Sequence, residues 1–254
     1  MSEPLYAYAI VDHRRSLPSI QGVGGAAIRM VRAGRLAAVA APVDVGEFEG
    51  EALEKNLSRP GWLETTVRAH ERVVEALAED GTVLPMRFGS IFSDGAGLRA
   101  MLQQSASSLA GLLERLRGRV ELGVTVRVDR RSLAGNEHGP GGGRDAVSGR
   151  DYLRHRQAEL RATATSDQAA SALAERVHAG LSEAAERASL LTPRRSDPSV
   201  VLVAAYLVPD DGVDAFSHLV EQLRRDHAGT CQVDLTGPWP PYSFASIDVA
   251  GARF

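Results

Sequence analysis

Lysine, cysteine and aromatic residues are all scarce in this chain of 254 residues. Lys55 is the single lysine, so 28 of the 29 basic residues (29 − 1) are arginines, and these are scattered instead of clustered as a bidentate anion site would require. Cys231 is alone, which excludes an intrachain disulfide and a cysteine-rich metal site. Because aromatic residues make up only 5% of the chain, the core must be mostly aliphatic.

Long hydrophobic runs and an excess of positive charge are also missing. No apolar stretch approaches the roughly 20 residues that a membrane-spanning helix needs, and the first residues lack the basic region and cleavage pattern of a signal peptide. We therefore expect a cytoplasmic protein. The formal net charge of −3 gives no electrostatic reason to expect nucleic-acid binding, whereas an apolar content of 44% is ample for globular folding.

Recognisable catalytic patterns are absent as well. The glycine-rich residues 139–144 contain no lysine and sit in a long connection, unlike a P-loop, and no Gly-x-Ser-x-Gly sequence occurs. His70 falls on the apolar face of a predicted helix with no second histidine three or four residues away, which favours a core or interdomain histidine over a metal ligand or a general base. The sequence predicts no catalytic, cofactor or metal site.

A regular succession of strands and helices is present. Residues 119–128 alternate between apolar and polar, which is typical of a half-buried strand, and Gly34 suits the positive φ of a hairpin turn. Asp94 is suited to cap a helix that reaches residue 117. The other predicted strands are 5–11, 26–31, 36–43, 82–88, 200–208 and 230–235. The other predicted helices are 49–57, 61–78, 151–191 and 210–226. The helix at 151–191 is predicted to break at 163–167 and to face inward with Leu153, Leu160, Leu173, Val177 and Leu181.

This order of elements predicts an α+β fold in two domains. Residues 1–117 form an N-terminal α+β domain. Residues 118–254 run strand, long helix, strand, helix, strand, which is close to a ferredoxin-like split βαβ fold with one inner strand missing or modified. Residues 134–149, which are rich in glycine, are predicted to be a flexible loop within this second domain.

The most distinctive segment is residues 237–244, Gly-Pro-Trp-Pro-Pro-Tyr-Ser-Phe. Its three prolines fix φ and each removes an amide donor, so no regular strand ladder is expected to continue through it. Trp239, Tyr242 and Phe244 are thereby held at fixed angles, with little conformational entropy left to lose. That suits packing across a domain interface, and equally a partner-binding surface.

Tyr6 and Tyr8 raise an alternative function. They point to the same side of the first predicted strand, and paired aromatics on a ferredoxin-like sheet could stack on bases. A ferredoxin-like regulatory or RNA-binding module is therefore the competing hypothesis. The two tyrosines lack neighbouring basic residues, which favours packing beneath helices instead.

Several short sequences resemble the GvpF/GvpL family of gas vesicle proteins, nearly from end to end. They are the Tyr-Ala-Tyr of the first strand, Leu-Pro-Met-Arg-Phe-Gly at 84–89, Gly-Arg-Asp-Tyr-Leu at 149–153, Ala-Tyr-Leu-Val at 205–208, and residues 237–244. One departure is Glu-Leu-Gly-Val-Thr at 121–125, where the family commonly has Glu-Trp-Gly-Val-Lys.

The resemblance implies a non-enzymatic accessory protein of gas vesicles, the gas-filled protein shells that confer buoyancy. Such a protein would be a minor structural component or an assembly factor, cytoplasmic and associated with the vesicle. It would contact the small hydrophobic shell protein and other accessory proteins, with no cofactor, nucleic acid or membrane. It would have two α+β domains, the second ferredoxin-like. The candidate partner-contact or family-motif residues are Arg87, Phe88, Trp239, Pro240, Pro241, Tyr242 and Phe244.

Overall fold

The computed structural model describes residues 3–48, 50–130, 149–192 and 197–245. Contacts between Cα atoms group these residues into two units. The first unit contains the chain up to Glu121 and again from Pro238 onward, and the second is Leu122–Gly237. The predicted domain division at residues 117 and 118 stays a prediction. Apart from Gly149, the predicted flexible loop at 134–149 lies outside the described residues.

The sheet of the first unit confirms the predicted first strand and hairpin. Its strands are β1 (Leu5–Asp12), β2 (Arg29–Ala33), β3 (Leu36–Pro42), β4 (Leu84–Pro85) and β5 (Ile91–Phe92). Their order is β2-β3-β1-β4, with β5 also paired to β1, and all of these pairs are antiparallel. Gly34 turns the β2–β3 hairpin with φ 60°, a value that L side chains rarely adopt.

Four helices accompany this sheet: α1 (Gly50–Leu57), α2 (Pro60–Glu79), α3 (Gly95–Gln104) and α4 (Ala106–Arg115). The Asp94 cap is confirmed, because its carboxylate accepts a hydrogen bond from the amide of Gly97 at 2.8 Å. The single helix predicted up to residue 117 is instead interrupted at Ser105, a residue type that competes with helical backbone bonds. The strand predicted at 82–88 shortens to two residues, since Pro85 has no amide to donate.

The second unit begins within a strand that is shared with the first. Its elements are β6 (Arg119–Val128), α5 (Gly149–Glu183), β7 (Arg187–Leu190), β8 (Val200–Pro209), α6 (Val213–Asp226) and β9 (Cys231–Trp239). The sheet order is β7-β8-β6-β9. The alternation predicted for β6 is confirmed: Leu122, Val124, Val126 and Val128 are all buried.

The prediction for the long helix was wrong in three respects. It ends at Glu183, and the strand β7 follows where helix was expected up to residue 191. It shows no break at residues 163–167, because Ser166 donates to the carbonyl of Arg130 at 3.1 Å and Asp167 pairs with the Arg130 guanidinium, contacts that outweigh local propensity. Leu160, predicted to face inward, is 56% exposed. The side chain of Leu153 lies outside the described residues.

The last strand also differs from its prediction. β9 extends through Pro238 to Trp239, although its prolines were expected to end the ladder near residue 235. The reason is its position in the sheet, since β9 lies at one end of the strand order. An edge strand tolerates proline because the missing amide can face away from its neighbour. Among the described helices none is long and apolar enough to cross a membrane.

Candidate functional site

The first unit holds a cluster of buried aromatic residues on one side of β1. Tyr6 and Tyr8 are fully buried, and their ring centroids lie 5.0 Å apart. The hydroxyl of Tyr8 accepts a hydrogen bond from the amide of Val23 at 2.7 Å. A Cβ atom at Gly22 would lie 2.1 Å from this hydroxyl, so only glycine fits there. Because both tyrosines are buried, neither ring offers a face on which a base could stack.

His70 lies at the centre of this aromatic cluster and is only 2% exposed. Its Nδ1 lies 3.1 Å from the Tyr6 hydroxyl. That hydroxyl accepts a hydrogen bond from the Gly89 amide at 2.9 Å, so its own proton can be donated to Nδ1. Burial lowers the pKa of His70 to about 4, and a contact with the Met86 backbone opposes this shift. His70 is therefore neutral at physiological pH and acts as a core residue.

The 84–89 motif encloses the cluster from the next part of the chain. The amide of Met86 donates to the carbonyl of Tyr8 at 2.8 Å. The ring of Phe88 lies 6.1 Å from His70, at an edge-on angle. Arg87 is exposed, and its carbonyl accepts a hydrogen bond from the Ser90 hydroxyl at 2.7 Å. Of the two candidate residues in this motif, Phe88 thus packs in the cluster and Arg87 faces solvent.

The C-terminal segment returns to the same cluster. Pro240, Pro241 and Phe244 are buried, and the half-buried ring of Tyr242 lies 6.3 Å from His70. Burial raises the pKa of Tyr242, and the nearby carboxylates of α2 add to this effect. Four of the five candidate residues in this segment therefore contribute to packing within the first unit. Trp239, the fifth, is 42% exposed.

A buried carboxylate holds this segment in place. The Ser243 amide donates to Glu121 Oε2 at 2.7 Å, and the Ser243 hydroxyl donates to Oε1 at 2.8 Å. Burial raises the pKa of Glu121, and the two hydrogen bonds oppose that shift. Sequence reasoning missed this pair. The available signal was an acidic residue in β6 and a serine within the 237–244 motif, but only the fold brings them together.

These contacts position the C-terminal segment against the first unit's cluster of buried aromatic residues. Among the described residues, no group of three His, Cys, Asp or Glu side chains is arranged to hold a metal ion. A comparable polar contact lies in the second unit, where the Nδ1 of His178 is 2.8 Å from the hydroxyl of buried Tyr206. The Ser182 hydroxyl lies 3.5 Å from the same nitrogen, so this contact gives the buried Tyr206 hydroxyl a partner at the half-buried His178 and Ser182.

Fold and site together define a mixed helix–sheet protein whose most distinctive residues form a packed cluster and one exposed tryptophan. Comparison with known proteins identifies the family to which the chain belongs. The family model "Gas vesicle synthesis protein GvpL/GvpF" matches residues 4–246. The chain belongs to the GvpL/GvpF family of gas vesicle proteins, which confirms the resemblance found in its sequence and supports a role related to gas vesicles.

Relatives and solved structures agree with this assignment. The chain is 37% identical over 231 residues to gas vesicle protein L of Streptomyces sp. (strain CB03234), covering 89% of this chain and 86% of that protein. It is 28% identical over 184 residues to gas vesicle protein F of the same strain, covering 69% and 75%. The crystal structure of GvpF from Anabaena sp. PCC7120 is 19% identical, with a TM-score of 0.73 and 97% of each chain covered. That structure supports the mixed helix–sheet fold.

Proposed function

We propose that this protein is a non-enzymatic gas vesicle accessory protein, acting in the cytoplasm at the vesicle as a minor structural component or an assembly factor. In this role it binds the shell protein and other accessory proteins of the vesicle. The family match over residues 4–246 supports a vesicle-related role. The use of most motif residues for packing supports a structural role for those residues over a catalytic one.

The observation that carries the proposal is the exposure of Trp239 at the end of a rigid, anchored segment. Pro238, Pro240 and Pro241 restrict the backbone on both sides of the tryptophan. The Glu121–Ser243 hydrogen bonds fix the segment a few residues further on. A large aromatic side chain that is already ordered loses little entropy when it docks, and tryptophan is enriched among residues that dominate binding energy.

We also propose the finer fold assignment, two α+β domains of which residues 118–254 form a ferredoxin-like one. Its support is the element order β6-α5-β7-β8-α6-β9 together with the strand order β7-β8-β6-β9. This is the βαββαβ succession of that fold, with β7 as the strand that the sequence pattern did not reveal.

The proposed function is tested by capture of vesicle proteins. The full chain is immobilised and exposed separately to the purified shell protein and to each accessory protein of a vesicle-forming host. We expect saturable binding to the shell protein and to at least one accessory protein. A chain that is folded, as judged by circular dichroism, and that binds none of them would refute the binding role.

A further inference from the structure

One end of the first sheet gathers arginines that are far apart in the sequence. In the pairing of β1 with β3, Asp12 stands opposite Leu36, so the turn after β1 lies beside the hairpin that joins β2 to β3. The His13 amide donates to the Arg35 carbonyl at 3.1 Å across this junction. The exposed arginines at this end of the sheet, here called the basic surface, are Arg14, Arg32, Arg35, Arg99 and Arg117.

Two members of the basic surface are held by backbone carbonyl groups. Arg32 Nε donates to the His13 carbonyl at 3.4 Å, which joins the β2–β3 hairpin to the turn after β1. Arg99 Nε, from α3, donates to the Arg32 carbonyl at 3.2 Å. A guanidinium group that is already oriented in this way loses less conformational freedom when it binds a ligand.

Two carboxylates connect the remaining arginines to the same surface. The amide of Arg14 donates to Asp12 at 2.9 Å and lowers the pKa of that carboxyl, and the charge of Arg35 adds to this effect. Arg117, just after α4, donates to Glu114 at 2.8 Å and lowers its pKa, again with a contribution from Arg35. Positive charge therefore prevails at this end of the sheet, although the whole chain has a net charge of −3.

We propose that the basic surface binds an acidic segment of a partner protein, one that carries several Asp or Glu side chains. This inference goes beyond the shell-protein contact assigned to Trp239, because other residues make it and charge replaces aromatic docking. Guanidinium groups bind carboxylates through two parallel hydrogen bonds. Complementary charge of this kind also steers the encounter and fixes the orientation of the partner.

The carboxylates within the basic surface favour an acidic protein segment over a nucleic acid. A nucleic-acid strand carries a negative charge at every phosphate, so Asp12 and Glu114 would repel a backbone that crosses the surface. A protein segment can place its carboxylates at the arginines and uncharged side chains at these two acidic residues. The negative net charge of the chain also opposes the approach of a long polyanion.

Binding is tested with the full chain and a fluorescent peptide of about twelve residues in which glutamate alternates with serine. Fluorescence anisotropy is measured at ionic strengths from about 0.02 M to about 0.3 M. We expect saturable binding at low ionic strength that weakens as salt is added, because the charges are exposed. The same peptide with glutamine in place of glutamate should not bind. A wild-type chain that does not bind the glutamate peptide would overturn the proposal.

Two double variants that lose the same charge locate the binding site. Arg32→Gln with Arg35→Gln should weaken binding of the glutamate peptide about tenfold or more, because both guanidinium groups belong to the basic surface. Arg176→Gln with Arg225→Gln removes two exposed arginines of the second unit and should leave the affinity nearly unchanged. Circular dichroism confirms that all variants are folded. Equal losses in the two double variants would show that only net charge matters, which would overturn the proposal.

A third variant tests the opposite sign of effect. Glu114→Gln removes the carboxylate that competes for Arg117 and should strengthen peptide binding about two- to fivefold. Weaker binding by this variant would contradict the assignment of Arg117 to the basic surface. Trp239→Ala removes no charge and should bind the peptide like the wild type, so this proposal and the shell-protein contact fail independently.

A nucleic-acid probe tests the class of partner. An oligothymidylate with the same number of negative charges as the glutamate peptide should bind at least about tenfold more weakly at the same ionic strength, because its phosphates cannot avoid the two carboxylates. Equal or tighter binding of the oligothymidylate would show a general polyanion surface and would overturn the assignment to an acidic protein segment.

Discussion

The two units of this protein are stabilised by different kinds of core. The first unit packs Tyr6, Tyr8, Phe48 and Tyr242 with His70, and their polar atoms need partners. The core of the second unit is aliphatic except for Tyr206 and Phe216. The distinctive motifs of the sequence contribute mostly to the first kind of core, where a lost hydroxyl or a change of charge matters as much as a lost volume.

The largest effect is expected in the aliphatic core. Phe216 is buried against the Tyr206 ring, with centroids 5.4 Å apart. Phe216→Ala should lower the free energy of unfolding by about 3–5 kcal/mol through lost burial and the remaining cavity. Phe216→Leu, which keeps more of the volume, should cost clearly less. Both are measured by urea denaturation, and equal losses for the two variants would show that volume does not control this core.

Acid should weaken the aromatic core through His70. The unfolded histidine takes up a proton near pH 6.5, whereas the folded one does so near pH 4. The unfolded state therefore binds more protons between these values, and stability falls as the pH is lowered through this window, by about 3 kcal/mol in total.

The raised pKa of Glu121 acts in the opposite direction, since protonation of that buried carboxyl is easier in the folded state. Comparison of the wild type with His70→Leu isolates the contribution of the histidine. Denaturation is measured from pH 7 to pH 4, and the variant should lose most of the dependence on pH. If both proteins show the same slope, the histidine is not buried in its neutral form.

Removal of a hydroxyl should cost more in the first unit than in the second. Tyr6→Phe leaves the Gly89 amide and His70 Nδ1 without their partner, which should cost about 2 kcal/mol. Tyr206→Phe should cost about 1 kcal/mol. The smaller cost is expected because His178 is half-buried, so that water and the nearby Ser182 hydroxyl can replace the lost partner of its Nδ1. Thermal and urea unfolding of the matched pair measure this difference, and the reverse order would contradict it.

A smaller effect is expected for the hydrogen bonds that anchor the C-terminal segment. Ser243→Ala removes the bond to Glu121 Oε1 and keeps the amide bond to Oε2, at a cost of about 1 kcal/mol. Ser199→Ala is the matched control, since its hydroxyl bonds to Asp197 at an exposed site and should matter little. Equal effects in urea denaturation would mean that the Glu121 contact does not anchor the segment.

Local patterns in the sequence predicted much of the fold. The alternation in β6, the Asp94 cap and the Gly34 turn each depend on a few neighbouring residues, and each was confirmed. β7 was missed because it is an edge strand with mostly exposed residues and therefore has no apolar alternation to detect. The break predicted near Ser166 failed because a distant contact with Arg130 stabilises the helix there.

The site was less accessible to sequence reasoning. The rigidity of residues 237–244 follows from their prolines, but the partners of the segment are distant along the chain. Tyr242 meets His70 of α2, and Ser243 meets Glu121 of β6. The sequence alone therefore left two roles open for the aromatic residues of this segment, internal packing and contact with a partner. In the structure Tyr242 and Phe244 contribute to packing within the first unit, and Trp239 is the exposed one.

The most direct measurement compares Trp239→Ala with the wild type in both stability and binding to the purified shell protein. Because the side chain is exposed, the free energy of unfolding should change by less than about 0.5 kcal/mol. Binding, measured by calorimetry, should weaken at least tenfold, and Leu57→Ala should leave it unchanged. An unfolded variant would show that Trp239 belongs to the core, and a folded variant with full affinity would show that this tryptophan is not the contact.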